Sequence, residues 1–498
     1  MDPGSRIHSI TQGLNKEQLA AVTSEHEGPV LVLAGAGCGK TSVLTRRIAF
    51  CACTRCDRES ILALTFTRKA AGEMAERVAR LDGMTPAHKM PLITTFHGFG
   101  LRVLKDTVGG TRNFERLGYE KEPELLPERY RLEMLAQCCS KDERRALGVD
   151  LVKLDNHICT LSVFPQKLSK LSSQRMQVLE SISNRLREQK RAENRWEFSD
   201  MITETLRIFE MNEEITGHYQ QKFRAILVDE FQDTNPLQIH LLRKLLCKSN
   251  TLFAVGDDDQ AIYGFRGADI GPIMNFETCF PGANIYKLQT NYRSIPKVLN
   301  AANRIFKEKP KQLRKVLRSG KYSAEESRQF PGPSKRMFKT QEDMVSWIHA
   351  RACCIAAQYE IPVCKMALLF RTNQTLEWTK ERYATPGIAD EELPVFSTIH
   401  GAKGLEFPVV FLCDLEEGVF PNYRLRKSQK IRTWGDVFKR FVLQKKPPPP
   451  ECDIDEETRL FYVGVTRAEK ILYLLSCAQK YEHGRRKKYG ASRFLRLV

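Results

Sequence analysis

No apolar stretch in this sequence of 498 residues approaches the ~20 residues that a membrane-spanning helix requires, which excludes a helical span. The opening residues, MDPGSRIHSITQG, lack the apolar core of a secretory signal. The expected address is therefore cytosolic, nucleoid-associated in a bacterium and nuclear in a eukaryote. Repeated CxxC pairs are missing too. The 15 cysteines are scattered, and the one close trio, Cys51, Cys53 and Cys56, has no fourth ligand at matching spacing, so reduced thiols are expected there rather than zinc. Acidic charge is in short supply: 60 Asp and Glu face 78 Lys and Arg, a net charge of +18. A basic field of that size favours a polyanionic partner, most simply nucleic acid. With 42% hydrophobic and 28% charged residues the remaining composition is that of a globular chain, long enough for roughly two to four compact units.

What is present is organised around residues 30–41, VLVLAGAGCGKT. Val30 to Leu33 read as a buried strand that breaks into a glycine-rich turn and opens a helix at Lys40 and Thr41. Such a turn is a phosphate cradle. Gly35, Gly37 and Gly39, with Ala34, Ala36 and Cys38 between and before them, let backbone N–H groups converge on a di- or triphosphate, and the helix start adds its positive dipole end. Lys40 supplies a point charge toward the β/γ-phosphates, the Thr41 hydroxyl is the expected Mg²⁺ ligand, and Ser42 ends the segment. The P-loop pattern wants glycine where this chain has Ala34, so the match is to a looser variant.

The flanking sequence adds candidate partners. Leu14 to Val22 reads as a short helix whose Gln18 amide suits an adenine edge. A strand over 61–65 ends in Thr65, Phe66 and Thr67, and a strand from Leu92 to Thr95 ends in Phe96 and His97. Both ends read as single-strand contacts in which donors such as Thr95 and His97 take phosphates and a base stacks on Phe66. Residues 101–199 read as a charged helical insertion without a catalytic signature. The apolar run 225–228 ends in Asp229 and Glu230, placed to hold Mg²⁺ through water and to deprotonate an attacking water respectively. In LFAVGDDDQAIYGFRGA, residues 252–268, Gln260 sits where a strand end meets a γ-phosphate, and Tyr263, Phe265 and Arg266 follow as a stacking platform.

Taken in order, LNKEQ, AGAGCGKT, TFTRKAA, TTFHGFG, VDEFQDTN, VGDDDQAIYGFRGA, NYRS (291–294), STIHGAKGLEF (397–407) and LFYVGVTRAEK (460–470) resemble the superfamily 1A DNA helicases of the UvrD/Rep/PcrA type over essentially the whole chain. The resemblance implies an α/β fold of two RecA-like P-loop motor domains, parallel sheets flanked by helices. Domain 1A, which binds ATP, would take 1–100 and 200–285, the helical insertion 1B 101–199, and domain 2A 286–498. It further implies ATP and Mg²⁺ in the cleft between the domains and single-stranded DNA across their top. Arg293 and Arg467 would reach the γ-phosphate as arginine fingers, Tyr292 would stack on adenine, Glu406 would bond the ribose, and His400 lies in the segment that couples ATP to DNA. The implied activity is ATP-dependent 3′→5′ translocation and unwinding on single-stranded DNA and single-strand/duplex junctions, in repair, replication or recombination.

The chain departs from that family at several points. Ser42 stands where an arginine is common, and Phe265 where a tryptophan is frequent. Only residues 375–393 occupy the place of the helical subdomain 2B, so its absence is expected. Residues 421–450 are extended and basic, and both a grip on DNA backbone and a solvated loop remain open for them. The chain stops soon after ASRFLRLV, so no nuclease domain or long tail is expected. A protein-displacing translocase that separates strands weakly, and a non-motor regulatory ATPase, fit the same motifs. Substituting Lys40 or Glu230 should abolish ATP turnover while DNA binding, read by fluorescence anisotropy, is retained; a Glu230→Gln chain that turns over ATP at the parent rate would remove Glu230 from the role of base.

Overall fold

A computed structural model describes residues 3–81, 90–163, 168, 169, 171–309, 314–383, 392–422, 454–482 and 485–498. The chain forms two compact units. One comprises Met1–Val32, Thr41–Gly256 and Phe265–Tyr286, the other Leu33–Lys40, Asp257–Gly264 and Lys287–Val498.

The first unit is built on a six-stranded sheet in the order Asn284–Leu288, Val30–Ala34, Thr251–Gly256, Ala225–Val228, Ile61–Thr65, Leu92–Thr95. Ile61–Thr65 pairs in parallel with both Leu92–Thr95 and Ala225–Val228, which in turn pairs in parallel with Thr251–Gly256. Val30–Ala34, Ile61–Thr65 and Ala225–Val228 are buried along their whole length. A parallel sheet is covered on both faces, which is why these strands read as unbroken apolar runs. Parallel pairing also brings Thr65, Thr95, Val228 and Ala254 or their neighbours to one edge, where the polar motifs begin.

Helix Phe96–Lys105 packs closely on helix Asp200–Met211. Gly100 makes this possible: a Cβ there would lie 2.1 Å from the Met201 carbonyl oxygen, and the Thr205 hydroxyl donates to the Gly100 carbonyl at 3.2 Å. The insertion is mainly helical, as the charged pattern predicts, with helices Glu128–Cys138, Lys141–Leu147, Leu151–Val163 and Ser173–Ala192. They share a core that includes Leu135, Leu154, Leu179 and Ile182. Ser140 and Glu143 form a capping box, and Gly148 ends the same helix in the left-handed conformation. Two short strand pairs interrupt the helical reading. In one, Glu124–Leu125 runs parallel to Arg195–Trp196, so the chain enters and leaves the insertion side by side.

The second unit carries a five-stranded sheet in the order Ser334–Phe338, Ala468–Cys477, Phe407–Leu412, Met366–Phe370, Val395–Thr398. All four neighbouring pairs are parallel. Its polar interior is paired: Arg371 makes two bonds to Glu457, at 2.6 and 3.2 Å, and Lys480 lies 2.6 Å from Asp414 and 2.5 Å from Glu416. Among the described residues no helix is long and apolar enough to cross a membrane. Residues 384–391 of the short link, and all of the basic segment 421–450 beyond Asn422, lie outside the described residues.

Gly100→Ala should destabilise the chain by about 1–3 kcal/mol, because backbone rather than a pliable side chain must give way. Gly72→Ala, with nothing within 4 Å of the added Cβ, should be neutral or stabilising. Thermal unfolding checks both, and equal midpoints for the two variants would contradict the packing at Gly100.

Candidate nucleotide and nucleic-acid site

In the second unit the glycine turn is held from outside its own strand. Ala34 ends the strand Val30–Ala34 in a fully buried position, where an extended backbone asks nothing of glycine; the looser first position of the pattern thus has no conformational cost. Gly37 and Gly39 have φ of +68° and +84°, the region that disfavours a side chain. A Cβ on Gly37 would also lie 2.5 Å from Asn291 Nδ2, and one on Gly35 2.3 Å from Leu317 Cδ2. The turn is tied by three bonds: Gly35 N–H donates to the Leu288 carbonyl (3.1 Å), Asn291 Nδ2 to the Ala36 carbonyl (2.7 Å), and Tyr292 N–H to the Gly37 carbonyl (2.9 Å). Asn291 Oδ1 in turn accepts from the N–H groups of Arg293 and Ser294, each at 2.8 Å. Asn291 is a buried bracket between the glycine turn and the backbone of Arg293 and Ser294. Sequence reasoning passed over it in NYRS because its neighbours carry the obvious chemistry.

The two predicted arginine fingers have different partners. Arg293 donates from Nε to Glu406 Oε2 at 2.6 Å and from Nη1 to the Thr466 carbonyl at 3.2 Å, so two residues expected at separate parts of a nucleotide are bonded to each other. Arg467 is 1% exposed. It donates to the carbonyls of Val463 (3.0 Å) and Leu405 (2.9 Å) and, through Nη2, to Gln260 Oε1 at 3.3 Å. Gln260 Nε2 donates to Asp257 Oδ2 at 2.5 Å. The loop that carries Gln260 is held along its backbone: Lys403 Nζ reaches the Gln260 carbonyl (2.9 Å), Arg459 Nε the Ala261 carbonyl (2.7 Å), and Gly264 N–H donates to Glu456 (3.1 Å). Lys403 also lies 4.8 Å over the Tyr263 ring. His400 sits in the turn after Val395–Thr398, its carbonyl accepting from Lys403 N–H at 3.3 Å. Tyr292 is exposed.

In the first unit, Thr41 and Ser42 occupy the first turn of helix Lys40–Thr54, their carbonyls accepting from the Thr45 hydroxyl at 2.9 and 3.1 Å. Gln18 is buried, and its Oε1 accepts from Asn15 N–H at 3.2 Å in a capping box. The amide expected at an adenine edge thus has one end committed to starting its own helix. Asp229 is buried and its Oδ1 accepts from Glu230 N–H at 3.0 Å. Glu230 is held at φ +48°, a conformation that costs a non-glycine residue about 1–3 kcal/mol. Its Oε2 accepts from Gln232 Nε2 at 2.5 Å. Gln232 itself is fully buried, and a Cβ on Gly256 would strike its Oε1 at 2.7 Å. Strain at a carboxylate locked by a buried amide marks Glu230 as a positioned group. Among the described residues the three-carboxylate cluster close enough for a metal is Asp257, Asp258 and Asp259; lysines already bond it, and the cysteine trio forms no such cluster.

Residues 14–281 match the family of the UvrD/REP helicase N-terminal domain, and residues 387–479 that of the UvrD-like helicase C-terminal domain. The chain belongs to the UvrD-like helicases. A Staphylococcus aureus protein named ATP-dependent DNA helicase PcrA is 34% identical over 374 residues, 74% of this chain and 49% of the relative. A Mycoplasma pneumoniae protein named probable DNA helicase is 31% identical over 500 residues, 97% of this chain and 87% of the relative. The chain spans about half the length of the PcrA relatives it matches.

In this UvrD-like chain the pairing of Thr65 with Thr95 sets Phe66 and His97 beyond the same edge of the sheet. Phe66 and Phe265 are exposed; the side chain of Arg266 lies outside the described residues. Thr95 caps its helix by accepting from Gly98 N–H at 3.0 Å. The His97 ring stacks on Phe198, centroids 4.1 Å apart and planes 28° from parallel. Phe198 is 56% exposed. It is a further candidate for base stacking that the sequence reading missed, because its partner is remote in the chain. Burial pushes the His97 imidazole down to about 4, so the ring is neutral near pH 7 and offers a face rather than a charge. Between the ordinary 6.5 and about 4 the unfolded chain takes up a proton that the folded chain refuses, so stability falls as pH drops through that window. His97→Phe should keep the stack and remove part of the loss in thermal midpoint between pH 7 and pH 5; an unchanged slope would contradict the buried, neutral ring.

Proposed function

We propose that the chain is an ATP-dependent motor that moves 3′→5′ along single-stranded DNA and separates strands at junctions, in repair, replication or recombination. The observation that carries this reading is the loop Asp257–Gly264. Its Gln260 bonds the buried Arg467 guanidinium, while Tyr263, three residues on, presents a ring beneath Lys403. A group that senses a γ-phosphate and a group that stacks on a base share one short, braced segment, so a change at one is felt at the other. Two relatives named ATP-dependent DNA helicase PcrA and probable DNA helicase support the same reading.

On this reading the glycine turn and Lys40 hold the phosphates of ATP, Tyr292 covers the adenine, and Glu230, held by Gln232, takes the proton of the attacking water. Arg467 and Arg293 neutralise charge that spreads over the transferring phosphoryl group, and Arg293 must leave Glu406 to do so, which frees that carboxylate for the ribose. One carboxylate at Asp229 and one hydroxyl at Thr41 suit a hard cation that keeps most of its water; Mg²⁺ held by them would supply positive charge against the charge of the phosphates. Phe66, Phe265 and the His97–Phe198 pair in the first unit, and Tyr263 in the second, each offer a face to a base, worth ~1–3 kcal/mol.

A second reading, a translocase that displaces bound proteins and unwinds poorly alone, is favoured by the few residues between helix Asn373–Tyr383 and strand Val395–Thr398. On this second reading no 2B subdomain stands there. Purified protein should displace the strand from a 3′-tailed duplex and leave a 5′-tailed one intact. Equal action on both, or preference for the 5′ tail, would overturn the direction. Rapid streptavidin removal from single-stranded DNA beside slow fork unwinding would select the second reading.

A further inference from the structure

Three consecutive aspartates follow Gly256, and all three are buried. Two lysines answer them. Lys315, 1% exposed at its side chain, lies 3.0 Å from Asp257 and 2.9 Å from Asp259 and also bonds Asp258. Lys309 lies 2.5 Å from Asp259 and bonds Asp258 as well. Two ammonium groups therefore bond three carboxylates. Burial and the neighbouring carboxylates leave Asp259 with its carboxyl raised, whereas at Asp257 burial is outweighed by Lys315 and Lys40 and the carboxyl is lowered. Burying ionic groups is weak evidence for stability, since an apolar set of similar volume commonly serves as well. The arrangement calls for another reason.

Of the three, only Asp257 is bonded onward to the candidate catalytic groups. Lys315 takes its Oδ1, and its Oδ2 accepts from Gln260 Nε2. A carboxamide has a donor end and an acceptor end. With the donor end fixed on Asp257, Oε1 faces Arg467 Nη2 at 3.3 Å. The flipped amide would set carbonyl against carboxylate and NH₂ against guanidinium, both repulsive. The orientation is thus enforced only while Asp257 stays ionised, and Lys315 is the cation that bonds it.

We infer that Lys315, which lies outside the motifs that carry the resemblance, is a positioning residue for ATP hydrolysis, acting through Asp257 to fix the Gln260 amide and with it the Arg467 guanidinium. This rests on the functional reading above. The Lys315→Met change alone leaves three buried carboxylates facing one ammonium and risks unfolding, so Lys315→Met is combined with Asp259→Asn, which restores the balance without touching Asp257.

The test is ATP hydrolysis at saturating single-stranded DNA, with kcat normalised to the folded fraction by circular dichroism. The double variant should lose about 10–100-fold in kcat with the ATP KM within about threefold, since an interaction made in the transition state is lost rather than nucleotide binding. Asp259→Asn alone should keep the parent kcat. In a Gln260→Ala background the double change should cost no more than about twofold further, the mark of two residues acting in series. A parent that does not hydrolyse ATP would overturn the functional reading and this inference with it. An active parent whose double variant keeps kcat within about twofold, or loses a further tenfold in the Gln260→Ala background, would overturn the role of Lys315 alone.

Discussion

The phosphate cradle takes its shape from backbone bonds made by residues far along the chain. Gly35, Ala36 and Gly37 bond Leu288, Asn291 and Tyr292, and the same asparagine orients the backbone of Arg293. Gly37 and Gly39 take their positive φ without strain, and bonds from outside hold the turn in place. Consequently the turn proposed to bind phosphate and the backbone of the arginine proposed to neutralise its transfer are joined through one buried amide side chain. Neither can shift far without the other.

The loop after Gly256 is built on the same plan. It leaves a buried strand carrying three carboxylates, which burial penalises, and Lys309, Lys315, Lys403, Arg459 and Glu456 secure it. Each contact alone is ordinary. Together they brace a short loop between Gln260 and Tyr263, the two side chains proposed to meet nucleotide and base. At Glu230 a strained backbone and a bond from the buried Gln232 hold the carboxylate.

Much of this was legible in the sequence, for physical reasons. Strands buried on both faces leave unbroken apolar runs, so Val30–Ala34, Ile61–Thr65 and Ala225–Val228 announce themselves, and the polar residues at their ends follow from parallel pairing. What depends on contacts remote in sequence was not legible. Lys315 meets Asp258 across 57 positions, His97 finds Phe198 across the whole insertion, and Glu124–Leu125 pairs with Arg195–Trp196. No local pattern encodes such pairings. Gln18 has a second role that its residue type does not announce: its Oε1 caps its own helix.

The central claim is that sensing nucleotide and gripping a strand are properties of one braced loop. It is tested most directly by steady-state ATP hydrolysis with and without an oligothymidylate. The account predicts slow turnover by the chain alone and a manyfold rise in kcat when the strand is present. A turnover rate indifferent to single-stranded DNA would contradict it.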